Sequence, residues 1–127
     1  MSSLSKISSL SKIPHALLLS VLLLAAPTGA GAHAIIVSSS PAAGATVAKD
    51  AVSIRLRFNS RIDHSRSRIR LLAPDGAEQA VTPTPDSPAD ELDAEAQVLA
   101  PGAWRLRWQV LSVDGHITRG EIPFTVR

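Results

Sequence analysis

Between Trp104 and Val110 the chain alternates without a slip. Trp104, Leu106, Trp108 and Val110 are apolar, and Arg105, Arg107 and Gln109 stand between them. A helix would scatter these side chains around its axis. A strand, with its period of two, puts both indoles on one buried face and both guanidiniums on the other. A face that large and apolar must be covered by another layer, so this one segment already demands a sheet packed against something.

The rest of the sequence supplies the partners. Val52, Ile54, Leu56 and Phe58 alternate with Ser53, Arg55 and Arg57, and Ile122, Phe124 and Val126 alternate near the end of the chain. Arg68–Leu72 reads as another strand, closed by Pro74-Asp75-Gly76, a turn sequence. Shorter strands are expected at 33–38, 77–81 and 94–99. Residues 59–65 form a polar connection carrying Asp63 and His64. Residues 82–90 contain Pro83, Pro85 and Pro88 and are predicted to lie outside any sheet ladder. The total is about seven short strands with turn signals roughly every 8 to 12 residues and no helical pattern after residue 32. The expected fold is all-β: an antiparallel Greek-key β-barrel or sandwich of immunoglobulin-like or cupredoxin-like proportions. Too few strands and too many outward arginines exclude a membrane-embedded barrel.

Residues 1–32 follow a different logic. Lys6 and Lys12 precede an apolar run, Ala16–Ala26, that is too short to span a bilayer as a helix. Pro27 and Gly29 break it, and Ala30-Gly31-Ala32 fits a cleavage site. The segment reads as a secretory signal peptide, which leaves 33–127 as the functional domain and marks it for export. The formal charge of +2 comes from those two lysines. Without them, 11 basic residues face 11 acidic ones, so the high isoelectric point is no nucleic-acid signature. The charges are nonetheless segregated. Arginines sit on strand-like segments, while Asp86, Asp90, Glu91, Asp93 and Glu95 crowd what reads as one connection.

The chain has no cysteine and its one methionine is Met1. Thiolate catalysis, iron–sulfur clusters, blue-copper ligation and thioether binding of Cu(I) therefore have no residues in the domain. No nucleophile elbow or glycine-rich phosphate loop is present, and no catalytic residue is assigned. Two features remain. After the Trp strand comes Ser112-Val113-Asp114-Gly115-His116, where a glycine turn separates a carboxylate from an imidazole. Read alone, Asp-Gly is a hairpin turn beside a surface histidine. At the other end, cleavage after Ala32 would make His33 the first residue, and an amino-terminal histidine offers its α-amine and ring Nδ1 as a chelating pair. Amine, two imidazoles and a carboxylate form an N/O donor set suited to Cu(II), although Zn(II) tolerates the same donors.

Taken together, the His33-Ala34 start, Ser39-Ser40-Pro41-Ala42-Ala43-Gly44, the Arg55–Phe58 strand, the V-L-S-V-D-G-H segment ending at His116, Gly120 and Phe124–Val126 resemble the CopC family of periplasmic copper-resistance proteins. The resemblance spans 33–127. It implies a cupredoxin-like barrel binding one Cu(II) through His33, Asp114 and His116. It also implies a role in copper homeostasis, as a monomer, beside an inner-membrane partner of the CopD type. Two departures stand out: the acidic residue that many members carry two positions after the second-strand Phe is replaced by Ser60, and the Met-rich Cu(I) site of some members is absent. Two other readings compete. One is a copper redox enzyme with a histidine brace like that of lytic polysaccharide monooxygenases. The other is a metal-free immunoglobulin-like interaction module.

Overall fold

The computed structural model describes residues 33–98 and 100–127, so the proposed signal peptide lies outside the described residues. Eight strands follow in order: β1 (Ile36–Ser40), β2 (Thr46–Val47), β3 (Ala51–Phe58), β4 (Arg68–Leu72), β5 (Glu78–Val81), β6 (Glu91–Gln97), β7 (Gly102–Leu111) and β8 (Ile117–Val126). They form two sheets, β1-β3-β6 and β2-β8-β7-β4-β5. The all-β sandwich is as expected, with one strand more.

The extra strand is β2, a two-residue piece that pairs in parallel with β8, so the sandwich is not purely antiparallel. Two residues carry no readable alternation, so no sequence pattern marks this strand. The sixth strand begins at Glu91, three residues earlier than predicted, because its outward row is acidic and each acid meets a cation or hydroxyl on β3. Arg57 stands opposite Glu91, Arg55 opposite Asp93 and Ser53 opposite Glu95. Those carboxylates therefore belong to a strand and not to a connection. The proline-rich stretch does touch the sheet, through an isolated bridge between Pro83 and Ala94.

The two inner faces supply the core expected from the alternation. Ile54, Leu56, Phe58, Leu92 and Ala94 come from one sheet, and Trp104, Leu106, Val110, Ile122, Phe124, Ile69 and Leu71 from the other, all buried. Phe58 meets Trp108 edge-on, ring centres 5.2 Å apart, across the two sheets. Trp104 donates its indole N–H to the Ala100 carbonyl at 2.8 Å, so its one polar atom is satisfied.

Gly120 faces inward directly opposite Trp108. A Cβ there would stand 2.7 Å from the indole Nε1 and closer still to its ring carbons. Trp108 is itself wedged against Phe58, so it has little room to retreat. Gly120→Ala is therefore expected to destabilise the domain by about 1–3 kcal/mol, read as a shift of the urea midpoint with an unchanged slope.

Candidate metal centre

The Ser112–His116 turn links β7 to β8 and is built around one buried hydroxyl. Ser112, 2% exposed, accepts the His116 N–H on its Oγ at 3.1 Å and donates that hydroxyl to the Asp114 carboxylate. The backbone closes the turn through Ser112 N–H to His116 O at 2.8 Å and Gly115 N–H to Ser112 O at 2.9 Å. Gly115 has φ +95°, a conformation that side chains with a Cβ rarely adopt, so glycine is required between the two functional groups. The carboxylate and imidazole then meet, with His116 Nδ1 3.3 Å from Asp114 Oδ2. The Ser112 hydroxyl foremost, and the His116 ring beside it, hold the Asp114 carboxyl below its ordinary pKa. It is therefore ionised wherever a divalent cation would need it.

His33 comes to the same place from the other sheet. Ala34 is fully buried and anchors His33 beside the core. Ile35 is clamped at both ends of its peptide: its N–H donates to Asn59 Oδ1 at 2.8 Å and its C=O accepts the Asn59 N–H at 2.9 Å. Asn59 directly follows β3, and the loop it opens continues to the turn. Ile62 bridges Ser112, Val113 N–H reaches Arg61 O at 3.3 Å, and Asp63 N–H donates to Leu111 O at 2.8 Å. One loop thus ties the His33 segment to the Asp114–His116 turn. The result is a pair of imidazole rings with centres 4.9 Å apart, inclined at 54°.

Of the three residues singled out from sequence, the structure brings His33 against His116 and Asp114 against His116. Among the described residues, no three His, Cys, Asp or Glu side chains converge as a ready-made cage. Asp63 and His64 are engaged elsewhere. Asp63 caps a short 3-10 turn, accepting from Ser65 N–H at 3.1 Å and from its hydroxyl at 2.7 Å. The Ser65 bonds foremost, helped by Arg66, lower its pKa. His64 Nε2 lies 2.7 Å from the Glu91 carbonyl and 3.0 Å from that of Pro88, and carbonyls only accept, so Nε2 carries a proton. It stitches the loop to β6. Ser112 and Asn59 went unread in the sequence. The serine two residues before Asp114 is the signal for the first; nothing local marks an asparagine that binds a peptide 24 residues away.

Both the His33 segment and the turn region also expose aliphatic side chains. The large hydrophobic side chains most exposed among the described residues are Ile35, Val37, Val113 and Ile117, between 52% and 68%. All four flank the His33 segment or the turn.

Comparison with known proteins fixes the lineage. Residues 36–127 match the model of the CopC domain. The chain belongs to the CopC family. It is 31% identical over 110 residues to copper resistance protein C of Xanthomonas campestris pv. juglandis, covering 80% of this chain and 86% of that protein. It is 30% identical over 99 residues to protein YobA of Escherichia coli K12, 76% of this chain and 80% of the other. The crystal structure of CopC from Methylosinus trichosporium OB3b superposes with a TM-score of 0.64 at 34% identity, over 74% of this chain and 93% of that one. Ser60, in the loop after β3, has a buried Oγ with no hydrogen-bond partner among the described residues.

Proposed function

We propose that this CopC-family domain binds one Cu(II) outside the cytoplasm and carries or buffers it without catalysing a reaction. His33 would supply the amine and an imidazole, His116 the second imidazole and Asp114 the carboxylate. The observation that carries the reading is the approach of the His33 and His116 rings to 4.9 Å, although 83 positions separate them in the chain. Two exposed imidazoles held together, with an ionised carboxylate beside one of them, are an N/O site that Cu(II) ranks highest among divalent ions. The donor missing from the set is the α-amine, which in the full-length chain is tied up in the Ala32–His33 peptide bond. Cleavage after Ala32 would complete the site, so metal binding and export become coupled.

The exposed Ile35, Val37, Val113 and Ile117, on the two segments that carry the ligands, support hand-over to another protein. A CopD-type inner-membrane protein is the recipient the family likeness favours. Against redox enzymology stands the absence, among the described residues, of an aromatic platform for a substrate: Trp104 and Trp108 are 4% and 7% exposed and belong to the core.

Calorimetric titration of Cu(II) into a protein beginning at His33 tests the proposal. One equivalent should bind, and His116→Ala should weaken it by more than about a hundredfold, the upper range for losing a mere outer-shell partner. Absence of binding at micromolar Cu(II) would leave a metal-free interaction module. Peroxide production from the copper form with ascorbate would favour the histidine-brace enzyme.

A further inference from the structure

The outer faces of the two sheets arrange arginine differently. On β3 each guanidinium faces an acid in register: Arg55 lies opposite Asp93 and 3.8 Å from both Asp93 and Glu91, and Arg57 lies opposite Glu91 and 3.6 Å from Asp90. On the five-stranded sheet, Arg70 of β4 stands directly opposite Arg107 of β7. In the next row, Arg68, Gln109 and Arg119 follow one another across β4, β7 and β8. Like charges directly opposite one another on a sheet are destabilising, and nothing in the backbone demands them here.

The two carboxylates on this face do not balance the account. Glu78 pairs with Arg70 at 3.2 Å, and Glu121 is divided between Arg105 at 2.9 Å and Arg107 at 3.4 Å. Among the described residues Arg119 has only the neutral Gln109 amide oxygen, at 2.8 Å. Among the described residues Arg68 has no ion pair. Between these side chains runs a groove of about 510 Å³, lined by Arg68, Arg70, Arg107 and Arg119 and also by Glu78 and Glu121. That is the volume of a small-ligand site. Planar guanidiniums in adjacent rows present forked donors that match the oxygens of a phosphoryl group.

We propose that this groove is a second binding site, separate from the metal centre, for a phosphoryl-bearing anion with more than one negative charge. The ligand would lie across the Arg70–Arg107 pair and take donors from Arg68 and Arg119. The anion adds countercharge beyond that of Glu121, which stands opposite Arg107, and of Glu78, and the site would reward occupancy by relieving the like-charge pair. Both free polyphosphate-type anions and anionic lipid headgroups carry this chemistry.

The test uses the His33-starting protein, with pyrophosphate as the soluble probe and phosphatidylglycerol vesicles as the surface probe. Pyrophosphate should raise the melting temperature and bind saturably in calorimetry, more weakly as salt rises. Arg107→Gln separates the site from a merely crowded surface. Without anion the variant should melt at or above the wild-type temperature, because a like-charge pair is gone and Glu121 keeps Arg105. With pyrophosphate it should gain little and bind at least roughly tenfold more weakly, the scale of one charge-assisted hydrogen bond. Arg68→Gln should weaken binding similarly. Preferential binding to vesicles over pyrophosphate, lost in the same variants, would identify a headgroup as the source. No binding of either probe at millimolar phosphoryl concentration, or equal binding by wild type and both variants, would overturn the proposal.

Discussion

A protein that starts at His33 and one carrying a single extra residue before it are expected to differ in Cu(II) affinity by more than about a hundredfold. The extension leaves every side chain in place. Ala34 remains buried, Ile35 stays clamped by Asn59, and the rings of His33 and His116 keep their neighbours. What it removes is the α-amine, whose pKa near 8 makes it a nitrogen donor that a divalent ion can deprotonate at neutral pH. The chelate ring between amine and imidazole disappears with it. Two imidazoles and one carboxylate remain, and the structure shows them as two contacting pairs and not as a three-donor cage. Equal affinity for the two proteins would remove the amine from the site. Thermal melts without metal should coincide, which separates a lost ligand from a disturbed fold.

The second large effect concerns the core beneath the site. Phe58 is 1% exposed, lies edge-on to Trp108 and stands opposite Ile36 at the start of β1. Phe58→Ala is expected to cost about 3–5 kcal/mol, transfer and cavity combined. A domain of this size holds only about 5–15 kcal/mol in reserve, so the melting temperature should fall by roughly 12 °C or more. The loss should be partly recoverable. Asn59 follows Phe58 and holds Ile35, so a loosened β3 end also loosens His33. A ligand that binds only the folded form returns about 2.7 kcal/mol at a hundred times its dissociation constant. Cu(II) should therefore raise the melting point of Phe58→Ala visibly. A variant destabilised to this degree that gained nothing from Cu(II), while the wild type did, would show that Phe58 positions the site as well as filling the core.

The sequence made the strands with strong alternation plain, and hid the ones whose pairing lies elsewhere. β3, β7 and the end of β8 were legible because every second residue is apolar and both faces are consistent. β2 was not, because two residues cannot show a period, and their placement comes from β8. The start of β6 was hidden because its outward carboxylates read as a polar connection until Arg55 and Arg57 were seen opposite them. The site divides in the same way. Asp114 and His116 announced themselves by spacing, and His33 by its place at the end of a leader-like segment. The loop from Asn59 to Asp63, which ties the two halves together, works through backbone and amide hydrogen bonds. Those depend on tertiary proximity and leave no residue pattern to read.

The central claim is that export uncovers a copper ligand. Its most direct test is the intact mass of the exported protein followed by its EPR spectrum with one equivalent of Cu(II), with and without ¹⁵N-labelled histidine. A mass beginning at His33 is expected, with a single type-2 copper signal whose nitrogen couplings come from two imidazoles and one amine that histidine labelling accounts for in full. A different first residue, or a spectrum lacking the amine nitrogen, would contradict it.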